Sequence, residues 1–307
     1  MEDPTFTAPG RFWRGNLHTH SNLSDGVLSP EEVCKRYADE GYDFLALTDH
    51  FIGLYDYPIA RTERFQTESF TTLLGAELHS GAMENGDLWH IVAVGLPADF
   101  AHGNAPHFMP VEDMESGPDI ARRARDAGAF VIVAHPEWGG LSLEDARSID
   151  AAHAVEIYNH SCEVEADRGR GHWHFDRLTE EGRKLSLCAT DDAHFRPGDY
   201  FGGWQMVKAE ENSPEALLAA LKAGHSYASC GPVIEDVRWT KSVVDVRCSP
   251  AKAVIVQGYG WRVDYVHLDG ETEVRIPLLN TADSPWVRLT VVGADGTRAW
   301  TNPVWRS

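Results

Sequence analysis

Short apolar runs that end in histidine, aspartate or glutamate recur through the first 230 residues, with amphipathic stretches between them. Leu45–Leu47 runs into Thr48–Asp49–His50, and Thr72–Leu74 into Gly75–Ala76–Glu77–Leu78–His79. Phe130–Ala134 leads to His135–Pro136, Ala154–Tyr158 to Asn159–His160, and Leu185–Ala189 to Thr190–Asp191–Asp192–Ala193–His194. His90–Leu96 is a further apolar strand. Between them, Pro30–Glu40 carries Ser29 as an N-cap and Pro30 at the first helical position. Asp119–Ala127 stops at Gly128 and Pro214–Lys222 at Gly224, both C-terminal cap signals. Strand, helix, strand, repeated about seven times, predicts an α/β fold with a parallel sheet closed or nearly closed by helices. The polar clusters fall at C-terminal strand ends, the face on which parallel barrels build their active sites. His18 and His20 are expected inside the first strand, facing the interior, and His90 opens its own strand.

After Gly231–Pro232 the texture changes. Val233–Trp239, Val243–Arg247, Ala253–Gln257, Trp261–His267, Thr272–Pro277 and Trp286–Val292 are short alternating runs, with turns at Asp269–Gly270 and Asp295–Gly296. That spacing predicts a small all-β sandwich over residues 231–307, following a barrel over residues 1–230.

The strand-end residues are of metal-ligand type. Residues two apart on a strand share a face, so His18 and His20 can present both imidazoles to one ion. Asp25, beyond a short polar loop, can return an oxygen to the same place. An isolated HxH is more often two surface histidines, and His50 or His135 alone could be a capping or terminal residue. Glu77 is harder to dismiss, because a carboxylate in an apolar setting needs a partner or a metal. Six or more such residues at successive strand ends point to several metals in one pocket.

The motifs HTHxxxSDG (His18–Gly26), LTDH (Leu47–His50), GxE (Gly75–Glu77), the lone His90, AHP (Ala134–Pro136) and DDAH (Asp191–His194) occur in that order. Over residues 12–230 the chain thereby resembles the polymerase-and-histidinol-phosphatase (PHP) superfamily. The resemblance implies a distorted (β/α)7 barrel and a phosphoesterase site with two or three divalent ions (Zn, Mn or Fe). It implies one ion on His18, His20, Glu77 and Asp192, a second on Asp25, His50 and His194, and a third on Glu77, His90 and His135. Asp25 stands where some members use histidine, which tilts that site toward oxygen-loving ions such as manganese. Glu77, Asp25 and His194 are thus expected at the catalytic centre, with a hydroxide bridging two ions as nucleophile.

Around this set, Arg196 could hold a substrate anion, with Arg61 and Arg64 weaker candidates of the same kind. Asp49 could accept a hydrogen bond from a metal-bound histidine or start a helix. Asp191 competes with Asp192 for the ligand position, and the DxH spacing to His194 favours Asp192. His79 reads as a strand-end polar residue, while Glu156, Asn159 and His160 read as pocket lining. No general acid is identified, His79 and His160 being the best placed.

Composition narrows the function. A formal net charge of −20 argues against a nucleic-acid partner, although bound divalent ions would offset it locally for a small anionic substrate. No apolar run has the length of a membrane span, and Met1–Gly10 lacks a signal-peptide core, so a cytoplasmic protein is expected. Cys34, Cys162, Cys188, Cys230 and Cys248 are scattered without a CxxC pair, consistent with free thiols. The expected activity is hydrolysis of a small phosphate ester. The rival is hydrolysis of a carboxyl-type ester, carbamate or amide, favoured by Trp89, Trp138 and Trp173 near the motifs and by a resemblance in outline to stand-alone PHP proteins that include a carbamate-hydrolase branch. A third reading is a metal-stabilised scaffold that stacks sugars on Trp239, Trp261, Trp286, Trp300 and Trp305; such tryptophans are more often sandwich core. The sequence leaves the oligomeric state open.

Overall fold

The computed structural model describes residues 3–306. Its strands are β1 (Arg11–Asn16), β2 (Phe44–Leu47), β3 (His50–Phe51), β4 (Thr71–Ala82), β5 (Leu88–Val94), β6 (Phe130–Val133), β7 (Ala154–Asn159), β8 (Ser186–Thr190) and β9 (Trp204–Ala209). They continue as β10 (Ser226–Ser229), β11 (Ile234–Trp239), β12 (Val243–Cys248), β13 (Ala251–Gly258), β14 (Val263–His267), β15 (Glu273–Pro277), β16 (Trp286–Gly293), β17 (Arg298–Thr301) and β18 (Val304–Trp305). The helices are α1 (Pro4–Thr7), α2 (Pro30–Asp39), α3 (Gly117–Asp126), α4 (Leu143–Ser148), α5 (His160–Ala166), α6 (His172–Glu180) and α7 (Pro214–Lys222). None is long and apolar enough to cross a membrane.

The fold is mixed α/β, with one large sheet and a separate small antiparallel one. β1, β2, β4, β5, β6, β7 and β8 lie side by side in that order. Beyond β1 the same sheet continues through β9, β10, β17, β16, β13 and β14. The ladder is not continuous between β8 and β1. There a single bridge joins Thr19 to Ala193, flanked by His20 N–H donating to Ala193 O and Asp192 N–H donating to His18 O, both at 2.9 Å.

The expected parallel order fails at β9, which is antiparallel to β1, at β10, which is antiparallel to β9, and inside the β1–β8 series at one strand. β5 runs antiparallel to both β4 and β6. The cause is local: a Met83–Asp87 turn, with Gly86 at φ 90°, joins β4 directly to β5 with no crossover helix. The reversal puts the N-terminal end of β5 beside the C-terminal ends of its neighbours, with His90 registered opposite His79. His90 therefore reaches the same end of the sheet as the other strand-end residues.

Buried runs such as Phe130–Val133 and Phe44–Leu47 form strands covered on both faces. α2 starts on a capping box in which Ser29 and Glu32 satisfy each other's backbone donors. In the C-terminal part, β11, β12 and β15 form the small sheet. Val237, Val244 and Ile276 from it share a core with Val254, Val256, Leu289 and Val291 of the large sheet. Phe6 of α1 enters that core, and Asp3 accepts from Trp239 Nε1 at 3.3 Å. Arg288 of β16 reaches Asp176 of α6 at 3.0 Å.

Candidate metal centre

β1 ends at Asn16, so His18 and His20 lie just past the first strand and not within it. The backbone there is captured by its neighbours: Thr48 N–H donates to Thr19 O at 2.8 Å, and the seam bonds to Ala193 hold the other side. The following loop turns back on Asp49, which accepts from Ser21 N–H, Ser21 Oγ and Ser24 Oγ, each at 2.7 Å. Asp49 therefore neither starts a helix nor touches a ligand histidine; it fixes the loop that delivers Asp25. Gly26 closes that loop where a Cβ would sit 2.8 Å from His20 O, so no larger residue fits without movement.

Glu77 is the centre of the cluster and is fully buried. Its Oε1 lies 2.8 Å from His90 Nδ1, 3.1 Å from His135 Nε2 and 3.7 Å from His18 Nε2. Its Oε2 lies 2.5 Å from His50 Nδ1 and 3.7 Å from His20 Nε2. Asp192 Oδ1 sits between His20 Nε2 at 2.8 Å and His18 Nε2 at 3.1 Å. Asp25 Oδ1 sits 3.3 Å from both His50 Nε2 and His194 Nε2. All nine residues proposed from the sequence as ligands thus converge on one pocket.

An outer layer aims these rings. Glu156 Oε1 accepts from His18 Nδ1 at 2.8 Å and from Thr190 Oγ1 at 2.7 Å, while Oε2 accepts from His135 N–H at 2.7 Å and Asn159 Nδ2 at 3.0 Å. His194 Nδ1 faces Asp192 O at 2.9 Å, leaving its Nε2 toward Asp25. Asp191 points the other way: it accepts from Tyr37 Oη and from the backbone N–H groups of Phe201, Gly202 and Gly203, at 2.7 to 2.9 Å. Asp192 itself is held at φ 56°, an uncommon conformation for a non-glycine residue.

The charges are strongly coupled. Burial alone would raise the Glu77 pKa, but His50, His90 and His79 hold it well below the carboxylate range. Burial likewise opposes ionisation of Asp192, and His18 and His20 override it. Burial together with His194 and His50 lowers His20 to about 3. Burial and the neighbouring His79 likewise lower His90 to about 3. His194 moves the other way: burial opposes its charge, yet the hydrogen bond to Asp25 and the Asp192 charge raise it to about 9. His18 is raised well above its ordinary value because Asp192 and Glu156 outweigh its burial.

This donor set fits divalent ions. His20 Nδ1 is buried with no hydrogen-bond partner, and His18 Nε2, Asp25 Oδ1 and Glu77 Oε2 meet other ligand-type atoms at 2.5 to 3.3 Å without hydrogen-bond geometry, an expensive arrangement unless something else binds them. Among the described residues, four overlapping groups have ligand atoms within 4.8 Å of one another: His20, Asp25, His50 and His194; His18, Glu77 and His135; His18, His20 and Asp192; His50, Glu77 and His79. The last adds His79, whose Nε2 lies 2.9 Å from His50 Nδ1. Imidazole nitrogen mixed with carboxylate oxygen suits Zn, Mn or Fe.

A cavity of about 480 Å³ opens onto the cluster. Arg196 stands at its mouth, with Nη2 3.5 Å from Asp25 Oδ2. Trp138 packs on the His135 ring at 4.9 Å, and Phe108 on the His50 ring at 4.9 Å. Phe108, Met83, Asp87 and Glu165 line the cavity without any motif to announce them. Other candidates lie elsewhere. Arg61 pairs with Glu63, Arg64 covers Phe65, and His160 meets Tyr158 Oη at 3.0 Å. Trp89 is buried in the core, and Trp173 is exposed beside His174.

Residues 16–134 match the PHP domain family. The chain is 25% identical over 206 residues to the DNA polymerase/3'-5' exonuclease PolX of Bacillus subtilis, covering 59% of this chain and 34% of that one. It is 38% identical over 92 residues to a 5'-3' exoribonuclease of Haemophilus influenzae, covering 28% and 30% respectively. The chain thus spans about a third of each relative's length. A crystal structure of a two-domain protein from Bacteroides vulgatus, containing a predicted PHP-like metal-dependent phosphoesterase, aligns over 99% of both chains. The TM-score is 0.50 and the identity 18%.

Proposed function

We propose that this chain, whose residues 16–134 match the PHP domain family, holds two or three divalent ions in its buried cluster and hydrolyses a small phosphate ester. The observation that carries this reading is Glu77, whose two oxygens face different imidazoles of one pocket, His90 and His135 on one side and His50 on the other. A carboxylate placed so can serve two ions at once. Asp192 with His18 and His20 would complete one site, Asp25 with His50 and His194 another, and His90 with His135 a third. When bound, such ions supply Lewis acidity and make water a nucleophile near neutral pH.

The chain's own residues do the rest. Glu156 and the Asp192 carbonyl hold His18 and His194 in the orientation that leaves Nε2 toward the pocket. Arg196, 45% exposed at the mouth, would draw in the substrate anion and orient it over Asp25. Trp138, Phe108 and Met83 narrow the access of bulk water. A cavity of about 480 Å³, a net charge of −20 and Asp87 and Glu165 among the lining residues support a small ester in preference to a polynucleotide.

The same aromatic lining supports a second reading, hydrolysis of an aryl ester, carbamate or amide by the same centre. A hydrolysis panel on metal-loaded protein separates the two. Turnover of aryl phosphates and nucleotides is expected; turnover of carboxyl-type esters with none of phosphates would establish the second reading instead.

A further inference from the structure

A second and larger cavity, about 610 Å³, lies between α6 and the β13–β16–β17 part of the large sheet. It shares no lining residue with the metal centre. Four carboxylates line it, and each is already engaged. Glu163 pairs with Arg170 at 2.7 Å, Asp176 with Arg288 at 3.0 Å, and Glu180 with Arg177 at 2.6 Å. Asp295 accepts from Thr297 N–H at 3.0 Å and Oγ1 at 2.6 Å.

Two guanidinium groups are left over. Among the described residues, Arg262 has no carboxylate partner and only a 3.3 Å contact with Tyr259 O. Arg298 has none either, with Gly296 O at 3.4 Å. Both are half-buried. Trp286, which is 2% exposed and lines the same cavity, keeps an indole N–H with no acceptor in the protein. The pKa of His172 on the cavity wall is lowered to about 3, by burial first and then by Arg288, Arg170 and Arg298. Four arginines and four carboxylates line the cavity, a cation-rich balance for a chain of net charge −20, and within it Arg262 and Arg298 are the two arginines with no carboxylate at ion-pair distance.

We propose that this cavity is a binding site for a small organic anion, a carboxylate or phosphate ester held by Arg262 and Arg298. Its volume suits a metabolite-sized ligand. The oxyanion would accept from both guanidinium groups, which match planar oxyanions better than lysine does.

The test is calorimetric titration of the as-purified protein with inorganic phosphate and, separately, with succinate. Saturable binding of one or both is expected, and which probe binds tells phosphate from carboxylate chemistry. Arg262→Ala and Arg298→Ala should each weaken it by about fivefold or more, as expected for loss of a charge-assisted contact. Asp192→Asn, which disturbs the metal cluster, should leave it within about twofold. If Arg298→Ala does not fold, Arg262→Ala carries the test alone. No saturable binding of either probe, affinity unchanged by the arginine variants, or loss of binding in Asp192→Asn would each overturn the assignment.

Discussion

Glu156 Oε1 lies 2.8 Å from His18 Nδ1, and neither side chain has any exposure to solvent. The contact turns the ring so that Nε2 faces Asp192 Oδ1 at 3.1 Å. Glu156 also takes the His135 N–H and the Thr190 hydroxyl, so one carboxylate sets two ligand-bearing segments. Glu156→Gln should lower metal affinity by about 10–100-fold, the usual cost of losing an outer carboxylate from a ligand histidine. Competition against a fluorescent chelator measures it. Wild-type affinity in the variant would mean that His18 is oriented by the backbone alone.

Asp191 and Asp192 are neighbours with opposite duties. Asp192→Asn should abolish hydrolysis while leaving the thermal transition in place, because its oxygens face the histidines. Asp191→Ala should do the reverse. It removes the acceptor of three backbone N–H groups and of Tyr37 Oη, and should cost about 3 kcal/mol or more in urea unfolding. Equal effects of both substitutions on metal content would contradict this division.

Metal binding should release protons at neutral pH. His194 is raised to about 9 and His18 well above its ordinary value, so both are protonated in the metal-free protein and must lose a proton to bind an ion. Titration in buffers of different ionisation enthalpy should show the release, and affinity should rise with pH up to about 9. The metal-free protein should behave oppositely. A histidine whose pKa is raised by folding adds stability that is complete below about 6.5 and is lost as pH climbs through 9. Urea midpoints of chelated, dialysed protein should therefore fall between those values, and a flat profile would show that the raised pKa does not contribute.

The sequence carried the ligand set further than the scaffold. His18, His20, His50, His135, Asp192 and His194 sit at or just past the ends of extended segments, where an apolar run and a following turn leave a readable pattern, whereas β4 runs on past Glu77 to Ala82. His90 joins the set only through the motif resemblance, because it opens its strand; the hairpin turn that reverses β5 explains how it reaches the others. Asp49 reads wrongly from the sequence because the Ser21 and Ser24 partners that explain it lie more than twenty residues upstream. Glu156 illustrates the same limit: its position on β7 was visible, but its bond to His18 spans 138 residues. Of the cavity wall, Trp138 and Arg196 are visible beside the motifs, while Phe108 and Met83 come from connecting segments with no periodicity to mark them.

The Arg288–Asp176 pair gives a last, asymmetric prediction. Arg288 is 1% exposed along its side chain and Asp176 27%, and the guanidinium contacts both carboxylate oxygens at 3.0 and 3.2 Å. Asp176→Ala strands a buried cation and should cost about 3 kcal/mol or more. Arg288→Met removes the buried charge, keeps most of the side-chain volume, and leaves a carboxylate that water can reach; it should cost about 1 kcal/mol or less. Urea midpoints of the two single variants check the ordering. If Arg288→Met proved the more damaging, the pair would be acting as a specific strut between α6 and β16, its geometry outweighing the desolvation that burial imposes.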